Sequence, residues 1–166
     1  SLTNYNGVLV ADSVGLGKTW IAKKVIEDFG FYRRRKFLVI CPASLHRMWQ
    51  AELKDLGVSE NIIHQEYFGG EGLDFEDLEK RHQIKFSDIS LIVIDESHNF
   101  RNPISNRYEN LFSLIEKIRS FGKTPKVILM TATPMNNTIW DFYFQLMLNS
   151  FCKSNIPCLI NMRLLF

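Results

Sequence analysis

One glycine-rich stretch constrains the fold of this chain more than any other feature. Residues 12–19 read DSVGLGKT; they follow the apolar run GVLVA at 7–11 and precede an amphipathic helical pattern at 19–29. A strand, a glycine loop and a helix, in this order, are the context of a phosphate-binding loop. The sequence therefore predicts that this segment holds the phosphates of a nucleotide, since a chance Gly-Lys-Thr turn would lack this context on both sides.

The residue types of the loop each have a chemical reason. Gly15 and Gly17 allow backbone conformations that are closed to other residues, so that successive N–H groups can converge on phosphate oxygens. The helix N-terminus adds unpaired N–H donors and the positive end of the helix dipole. We expect Lys18 to reach the β- and γ-phosphates and the Thr19 hydroxyl to bind Mg²⁺. Asp12 replaces the first glycine of the common motif, which disfavours a generic small GTPase or nucleotide kinase.

The remainder of the chain alternates apolar runs with helical patterns. Apolar runs that predict strands lie at 7–11, 37–41, 91–95 and 127–131, with a weaker one at 62–63. Helical patterns lie at 20–29, 44–56 and 106–121. Continuously apolar strands that alternate with helices indicate an α/β fold with a mainly parallel sheet covered on both faces. The polar segment 69–87 is interpreted as a surface loop with one short helix, 75–82.

Several single residues carry structural predictions. Gly30 is predicted to end the first helix as its C-cap, and Ser44 to begin the second as its N-cap. The three tryptophans are expected to pack against apolar residues: Trp20, Trp49 and Trp140. Cys41, inside an apolar strand, is expected to be a small core residue.

Composition excludes several classes of protein. The 166 residues, 46% of them hydrophobic, suit a single globular domain. The net charge of +2 is too small to argue for nucleic acid, and the basic run at 33–36 precedes the second strand, which places it at the sheet edge opposite the nucleotide. Three cysteines without metal-ligand spacing indicate a reduced, cytoplasmic setting. No membrane span or signal peptide is visible.

Two further strand ends carry polar residues that can reach the same ligand, because ligands of such sheets gather at the carboxyl ends of the strands. Asp95 ends the run LIVI at 91–94 and is predicted to hold the metal, and Glu96 to act as the general base on the attacking water. Thr131 and Thr133 end another strand, where they could contact these acids and sense the γ-phosphate. Solvated acids and a plain Thr-Pro turn are the alternatives.

Taken together, these motifs resemble those of the helicase superfamily 2 ATPases and, within it, the SWI/SNF-related double-stranded DNA translocases of bacterial type. The matching segments are the loop at 12–19, DESH at 95–98, TATP at 131–134, CPASL at 41–45 with Trp49 and Glu52, and NFRN at 99–102. The resemblance implies the first RecA-like lobe of such an enzyme, a three-layer sandwich that binds ATP and Mg²⁺. Ser13 and Val14 depart from the loop of the eukaryotic remodellers. Gln65-Glu66-Tyr67 matches the family's next motif only loosely.

The resemblance also implies roles for the matched residues. Those expected to bind the nucleotide are Asp12, Val14, Gly15, Leu16, Gly17, Lys18, Thr19, His98, Thr131 and Thr133. The expected catalytic residues are Lys18, Asp95 and Glu96, and the metal ligands are Thr19 and Asp95.

Further roles concern movement and DNA. His98, Thr131 and Thr133 would couple the nucleotide state to movement. Ser44, Leu45 and His46 lie where the family touches the DNA backbone, with plain helix capping as the alternative.

The resemblance predicts the domain organisation as well. Residues 1–150 are expected to form the ATP-binding lobe, with 151–166 unassigned and the second RecA-like lobe absent. Since the second lobe supplies an arginine finger, the chain alone is predicted to bind Mg-nucleotide weakly and to hydrolyse it negligibly. Expected partners are double-stranded DNA, through the full-length protein, and restriction or phage-defence proteins. A strand-separating DEAD/DEAH-type helicase, a non-hydrolysing nucleotide- or partner-binding module and an AAA+ protein remain as alternatives.

Overall fold

A single parallel sheet organises the computed structural model, which describes residues 7–11, 17–58, 61–133 and 139–150. Its five strands are β1 (Gly7–Ala11), β2 (Lys36–Cys41), β3 (Ile62–His64), β4 (Ile89–Ile94) and β5 (Lys126–Thr131). Their order across the sheet is β1-β5-β4-β2-β3, and every described pairing is parallel. The α/β prediction and all five predicted strands are therefore confirmed, the weak one as a short edge strand.

Helices lie between and after the strands. They are α1 (Lys18–Ile26), α2 (His46–Asp55), α3 (Phe75–His82), α4 (Asn106–Ser120) and α5 (Ile139–Ser150). The short helix predicted at 75–82 is confirmed in both bounds. Gly122, just beyond α4, has a φ of 76°, a left-handed conformation that glycine adopts readily at the end of a helix.

The helices cover both faces of the sheet in two separate apolar clusters. One face packs against Ala22 and Ile26 of α1 and against Trp49 and Leu53 of α2. The other face packs against residues of the three later helices, among them Leu78, Ile115 and Leu148. This division follows from right-handed crossovers, because the chain moves outward from β1 to β3 and then returns through β4 to β5. The result is the three-layer sandwich that the resemblance implied.

Two predictions in the region of α1 are wrong, and close packing explains one of them. Gly30 does not cap the helix; it lies within a π-helical turn, Glu27–Tyr32, that continues from α1. A Cβ atom at this position would lie 3.0 Å from the ring of Phe37, so the absence of a side chain serves contact with the sheet. Trp20 does not pack in the core, since 65% of its surface is exposed. It lies about 200° around the helix from the buried Ala22.

The segment 69–87 also differs from its prediction as a surface loop. Leu78, Ile84 and Phe86 are all buried and belong to the same apolar cluster as α4. Most of its charged residues are exposed, whereas these three apolar side chains extend the core. In the sequence, the acids and lysines between the apolar residues obscure this pattern. Within the described residues, no helix combines the length and the apolar character needed to cross a membrane.

Candidate functional site

The five strand ends place the candidate residues along one edge of the sheet. Because all strands are parallel, the carboxyl ends of β1, β5 and β4 lie side by side, in that order. Ala11, the last described residue before the glycine loop, pairs in register with Thr131 of β5. Asp95 directly follows β4, the next strand along. The three strand ends that carry the candidate residues therefore lie side by side.

The start of α1 is arranged differently from an ordinary helix start. Gly17 occupies the N-cap position with φ 90° and ψ 19°, and it has no side chain that could cap the helix. The first N–H groups of a helix have no partner within the helix, so they are available to an anion. Lys18 and Thr19, the first two helical residues, are half-buried. The other predicted loop residues lie outside the described residues: Asp12, Val14, Gly15 and Leu16.

Asp95 is held by four hydrogen bonds at the end of β4. The Trp49 indole Nε1 donates to one carboxylate oxygen at 3.0 Å, and the backbone N–H of Glu96 donates to the other at 2.9 Å. Its own backbone N–H donates to the carbonyl of Ile40, and its carbonyl accepts from the Gln65 carboxamide. Only 6% of the residue is exposed. Since a carboxylate offers about four lone-pair sites, two remain for further donors or for a metal-bound water.

Glu96 lies at the head of a row of polar side chains. Its backbone is left-handed, with φ 46°, which is uncommon for a residue other than glycine and concentrates at functional sites. Its Oε2 lies 3.1 Å from His98 Nδ1, and the same nitrogen lies 3.1 Å from the Thr131 hydroxyl oxygen. The Thr131 hydroxyl also accepts from the backbone N–H of Thr133 at 3.1 Å. The row connects the acid after β4 to the end of β5.

Five side chains that the sequence reasoning did not assign to this site take part in it. Trp49 was expected only to pack; it is fully buried, and it also donates to Asp95. Gln65 contacts Asp95 and accepts from the Asn99 amide at 2.9 Å. Ser97 donates to Gln145 of α5 at 2.9 Å. The segment 65–67 matches its family motif only loosely, so Gln65 received no role from the resemblance. Its position directly after a buried strand was the sequence signal that could have indicated one.

The turn after β2 contains the residues that were expected to touch DNA. A 3-10 turn, Ala43–Leu45, precedes α2, and the N-cap position is Leu45, whose side chain makes no capping bond. The N-cap prediction for Ser44 is therefore wrong, because the extra turn delays the start of the helix to His46. The Glu66 carboxylate holds this turn by accepting from the backbone N–H of Ala43 at 3.2 and 3.3 Å. Ser44 is exposed, at the same edge of the sheet as the acids.

Two other sequence predictions are confirmed outside the hydrogen-bond network itself. Cys41 is fully buried, and burial, followed by the nearby Asp95 and Glu66 carboxylates, raises the pKa of its thiol to about 12. The basic run at 33–36 is exposed before β2, opposite the acids, and Arg33 forms an ion pair with Asp28 at 2.8 Å. Neither feature contributes a reactive group to the site.

Comparison with known proteins matches most of this chain, including its three motifs, to one family. Residues 3–136 match the model of the family described as Type III restriction enzyme, res subunit. The ATP-dependent helicase YqhH of Bacillus subtilis is 28% identical over 144 residues, which cover 81% of this chain and 24% of the relative. The RNA polymerase-associated protein RapA of Yersinia enterocolitica is 31% identical over 150 residues, which cover 76% of this chain and 15% of RapA.

Among solved structures, the SWI2/SNF2 ATPase core of Sulfolobus solfataricus in complex with dsDNA aligns with a TM-score of 0.55. It is 20% identical, and the match covers 89% of this chain and 32% of that one. This likeness concerns the fold, which is that of RecA-like helicase cores. The chain spans about a quarter or less of the length of the curated relatives named above. Since the family match extends over most of its residues, the chain belongs to the Type III restriction enzyme res subunit family, as the first RecA-like, ATP-binding lobe of a superfamily 2, SWI/SNF-related helicase.

Proposed function

We propose that this lobe binds Mg-ATP at the start of α1 and that the full-length protein hydrolyses it to move along double-stranded DNA. The observation that carries the proposal is the row Glu96, His98 and Thr131, which lies beside Asp95 at the edge where β1 leads into the glycine loop. Two acids with different surroundings can divide the chemistry between them, one holding a metal and the other handling a proton.

The donor set fits Mg²⁺. Hydroxyl and carboxylate oxygens are the ligands that this ion prefers, and it usually keeps several waters while bound to substrate phosphates. Thr19 and Asp95 supply one oxygen group each, and among the described residues no cluster of three or more acidic, histidine or cysteine side chains forms a complete protein cage. When bound, the ion would neutralise charge on the phosphates. Asp95 would contact it through a water, because both of its oxygens already accept a protein N–H.

Glu96 is the proposed general base. Its side chain is about one-third exposed, so it can reach a water at the site, whereas Asp95 is buried and fully oriented. His98 positions it, because a proton on Nδ1 can be shared between the carboxylate and the Thr131 hydroxyl oxygen. Through this row, Thr131 and Thr133 would register whether Glu96 is turned towards a γ-phosphate. Lys18 would hold the β- and γ-phosphates.

The DNA contact is proposed for the turn Ala43–Leu45 and the start of α2. The structurally similar SWI2/SNF2 core was solved with dsDNA, and the family is described as a restriction-enzyme subunit. The backbone N–H groups of Leu45 and His46 already donate to carbonyls of the preceding turn, and that of Ala43 donates to Glu66. The contact with a backbone phosphate is therefore proposed for the exposed Ser44 side chain, with His46 beside it. Such contacts would make binding salt-dependent and largely independent of sequence.

We further infer that hydrolysis needs a second RecA-like lobe that closes over the nucleotide. An arginine finger supplied from outside the phosphate-loop lobe contributes about 10³–10⁵ in rate in comparable enzymes. This lobe alone is therefore expected to bind Mg-nucleotide weakly and to turn it over negligibly. Restriction or phage-defence proteins are the partners that the family description supports.

The proposal is tested by steady-state ATP hydrolysis of the full-length protein, with duplex DNA, single-stranded DNA or RNA, or no nucleic acid. We expect duplex DNA to stimulate the rate and Glu96→Gln to lower it by about 10²–10⁴-fold while nucleotide binding persists. Glu71→Gln, which changes an exposed acid elsewhere, is the matched control. Wild-type rates in Glu96→Gln would contradict the assignment of the base. Stimulation by RNA in preference to duplex DNA would contradict the assignment of the substrate.

A further inference from the structure

Gln65 has an unusual position for a polar side chain. It directly follows the edge strand β3 and is 1% exposed. Its carboxamide nitrogen donates to the Asp95 carbonyl, and its carboxamide oxygen accepts from the Asn99 side chain at 2.9 Å. Gln65 therefore contacts both ends of the acidic turn, 95–99, which contains Glu96 in its left-handed conformation.

The Gln65 side chain reaches past a neighbouring strand. β2 lies between β3 and β4 in the sheet, so Gln65 and Asp95 follow strands that are not neighbours. Neighbouring strands lie about 4.8 Å apart, and the Gln65 side chain spans the carboxyl end of β2 to make these two bonds. An apolar side chain at this buried place would leave the Asp95 carbonyl and the Asn99 amide without these bonds.

Glu66 makes the complementary contact. Both of its carboxylate oxygens lie 3.2 to 3.3 Å from the backbone N–H of Ala43, in the turn that follows β2. That turn leads into α2 and contains Ser44, the exposed residue proposed to contact DNA. Two consecutive residues thus hold the acidic turn on one side and the turn proposed to contact DNA on the other.

We propose that Gln65 and Glu66 are positioning residues, a coupling clamp that transmits engagement of DNA at the turn 43–45 to Glu96 in the acidic turn. The inference rests on the proposed function. DNA that shifts the Ala43 backbone moves Glu66, and Gln65 then moves with it, because the two residues are consecutive. The acidic turn follows through its bonds at Asp95 and Asn99. The clamp acts on the orientation of the general base and makes no contact with the nucleotide.

The test compares kcat and KM for ATP in the full-length protein, with and without saturating duplex DNA. Glu66→Ala removes an exposed side chain and spares the core, with Glu71→Ala as the matched control. We expect Glu66→Ala to lower the ratio of stimulated to basal kcat by about fivefold or more, the lower end of typical coupling between sites, with KM for ATP unchanged. Glu71→Ala is expected to keep the wild-type ratio.

A second set of variants separates positioning from simple stability. Gln65→Leu alone leaves both the Asn99 amide and the Asp95 carbonyl without their partner. Gln65→Leu with Asn99→Leu removes both amides, so that only the Asp95 carbonyl lacks its donor. We expect the double variant to regain thermal stability relative to Gln65→Leu but not the stimulation by DNA. Recovery of both together would overturn the clamp, as would a wild-type ratio in Glu66→Ala.

The same experiment distinguishes a failure of the proposed function from a failure of the clamp alone. A wild-type protein that hydrolyses ATP with no response to duplex DNA, or with no loss in Glu96→Gln, would overturn the proposed function and the clamp with it. A wild type that is stimulated by DNA, together with clamp variants that are stimulated equally, would overturn the clamp alone.

Discussion

The starts of α1 and α4 differ in how their first backbone N–H groups are satisfied. At α4, Ser105 accepts from the backbone N–H of Tyr108 through its hydroxyl, so the protein itself satisfies the helix end. At α1, Gly17 takes a left-handed conformation and offers no side chain. α3 follows the first pattern, since Asp74 accepts from the N–H groups of Glu76 and Asp77 at 3.0 Å. The starts of α3 and α4 are thus capped by the protein, whereas the start of α1, beside the glycine loop, is left to an anion.

The acidic turn combines both patterns. Asp95 is satisfied by protein donors, as at a capped helix, but its carboxylate keeps lone pairs for a ligand. Glu96 has a contact with His98 and remains partly exposed. In this site, a side chain that must be oriented is held by hydrogen bonds from the protein, and a group that must meet a ligand stays accessible. Substitutions at the two kinds of position should therefore separate stability from activity.

Among the substitutions that test this comparison, the largest effect is expected at the open helix start. Thr19→Val removes the proposed metal-binding hydroxyl and keeps the branched shape, so we expect hydrolysis at limiting Mg²⁺ to fall by about 10–100-fold, a range typical of weakened metal sites. Thr19→Ser keeps the hydroxyl and is the matched control. The measurement is the Mg²⁺ dependence of ATP hydrolysis in the full-length protein. Equal Mg²⁺ dependence in both variants would contradict the assignment of the Thr19 hydroxyl as a metal ligand at the start of α1.

Loss of the bond that orients the Asp95 carboxylate should affect both the stability and the activity of the protein. Trp49→Phe preserves most of the packing but removes the N–H that bonds the buried Asp95 carboxylate, which should lower the free energy of unfolding by about 1–3 kcal/mol. Urea denaturation measures this loss. A double-mutant cycle with Asp95→Ala, which removes every side-chain acceptor at this position, isolates the bond from the change at Trp49. A coupling free energy near zero would show that the indole serves packing alone.

The capped helix start should affect stability alone. Ser105→Ala removes the cap of α4 and should lower the free energy of unfolding by about 1 kcal/mol, within the usual 0.5–2 range. Ser105→Asp, which restores an acceptor, is the control. ATP hydrolysis by the folded protein is expected to stay at the wild-type level. A loss of activity without a loss of stability would remove the distinction between α4 and α1.

An effect confined to alkaline pH concerns Cys41, which ends β2 beside the acidic turn. Burial raises its pKa from 9.0 to about 12. Below pH 9 the thiol is neutral in both the folded and the unfolded state, and its contribution to stability is fully present. Between pH 9 and 12 the unfolded state loses its proton first, so this stability is lost as pH rises, by at most about 1.4 kcal/mol per pH unit.

The measurement for Cys41 is urea denaturation from pH 8 to 11, with Cys41→Ala as the comparison. The variant should show a shallower decline of the unfolding free energy above pH 9, because the other groups that titrate in this range are shared. Parallel curves would show that the Cys41 thiol does not titrate differently in the folded state.

The sequence predicted the features that depend on neighbouring residues. The five strands and the sheet edge with its acids follow from apolar runs and from the polar residues that end them. The bonds of Trp49 and Gln65 to Asp95 join residues 46 and 30 positions apart, so no local pattern could reveal them. The caps at Gly30 and Ser44 were mispredicted because a π-helical turn and a 3-10 turn replace regular helix ends there. Such turns depend on tertiary packing.

The most direct test of the account is the thermal unfolding of this chain with Mg-ATP at about ten times its Kd. Binding at that concentration adds about 1.4 kcal/mol to the folded state, which corresponds to a rise in Tm of about 3–6 °C for a chain of this size. We predict this rise in the wild type and in Ser105→Ala, from its lower starting Tm, and its absence in Lys18→Ala. An equal rise in Lys18→Ala would contradict the claim that the start of α1 is the phosphate site.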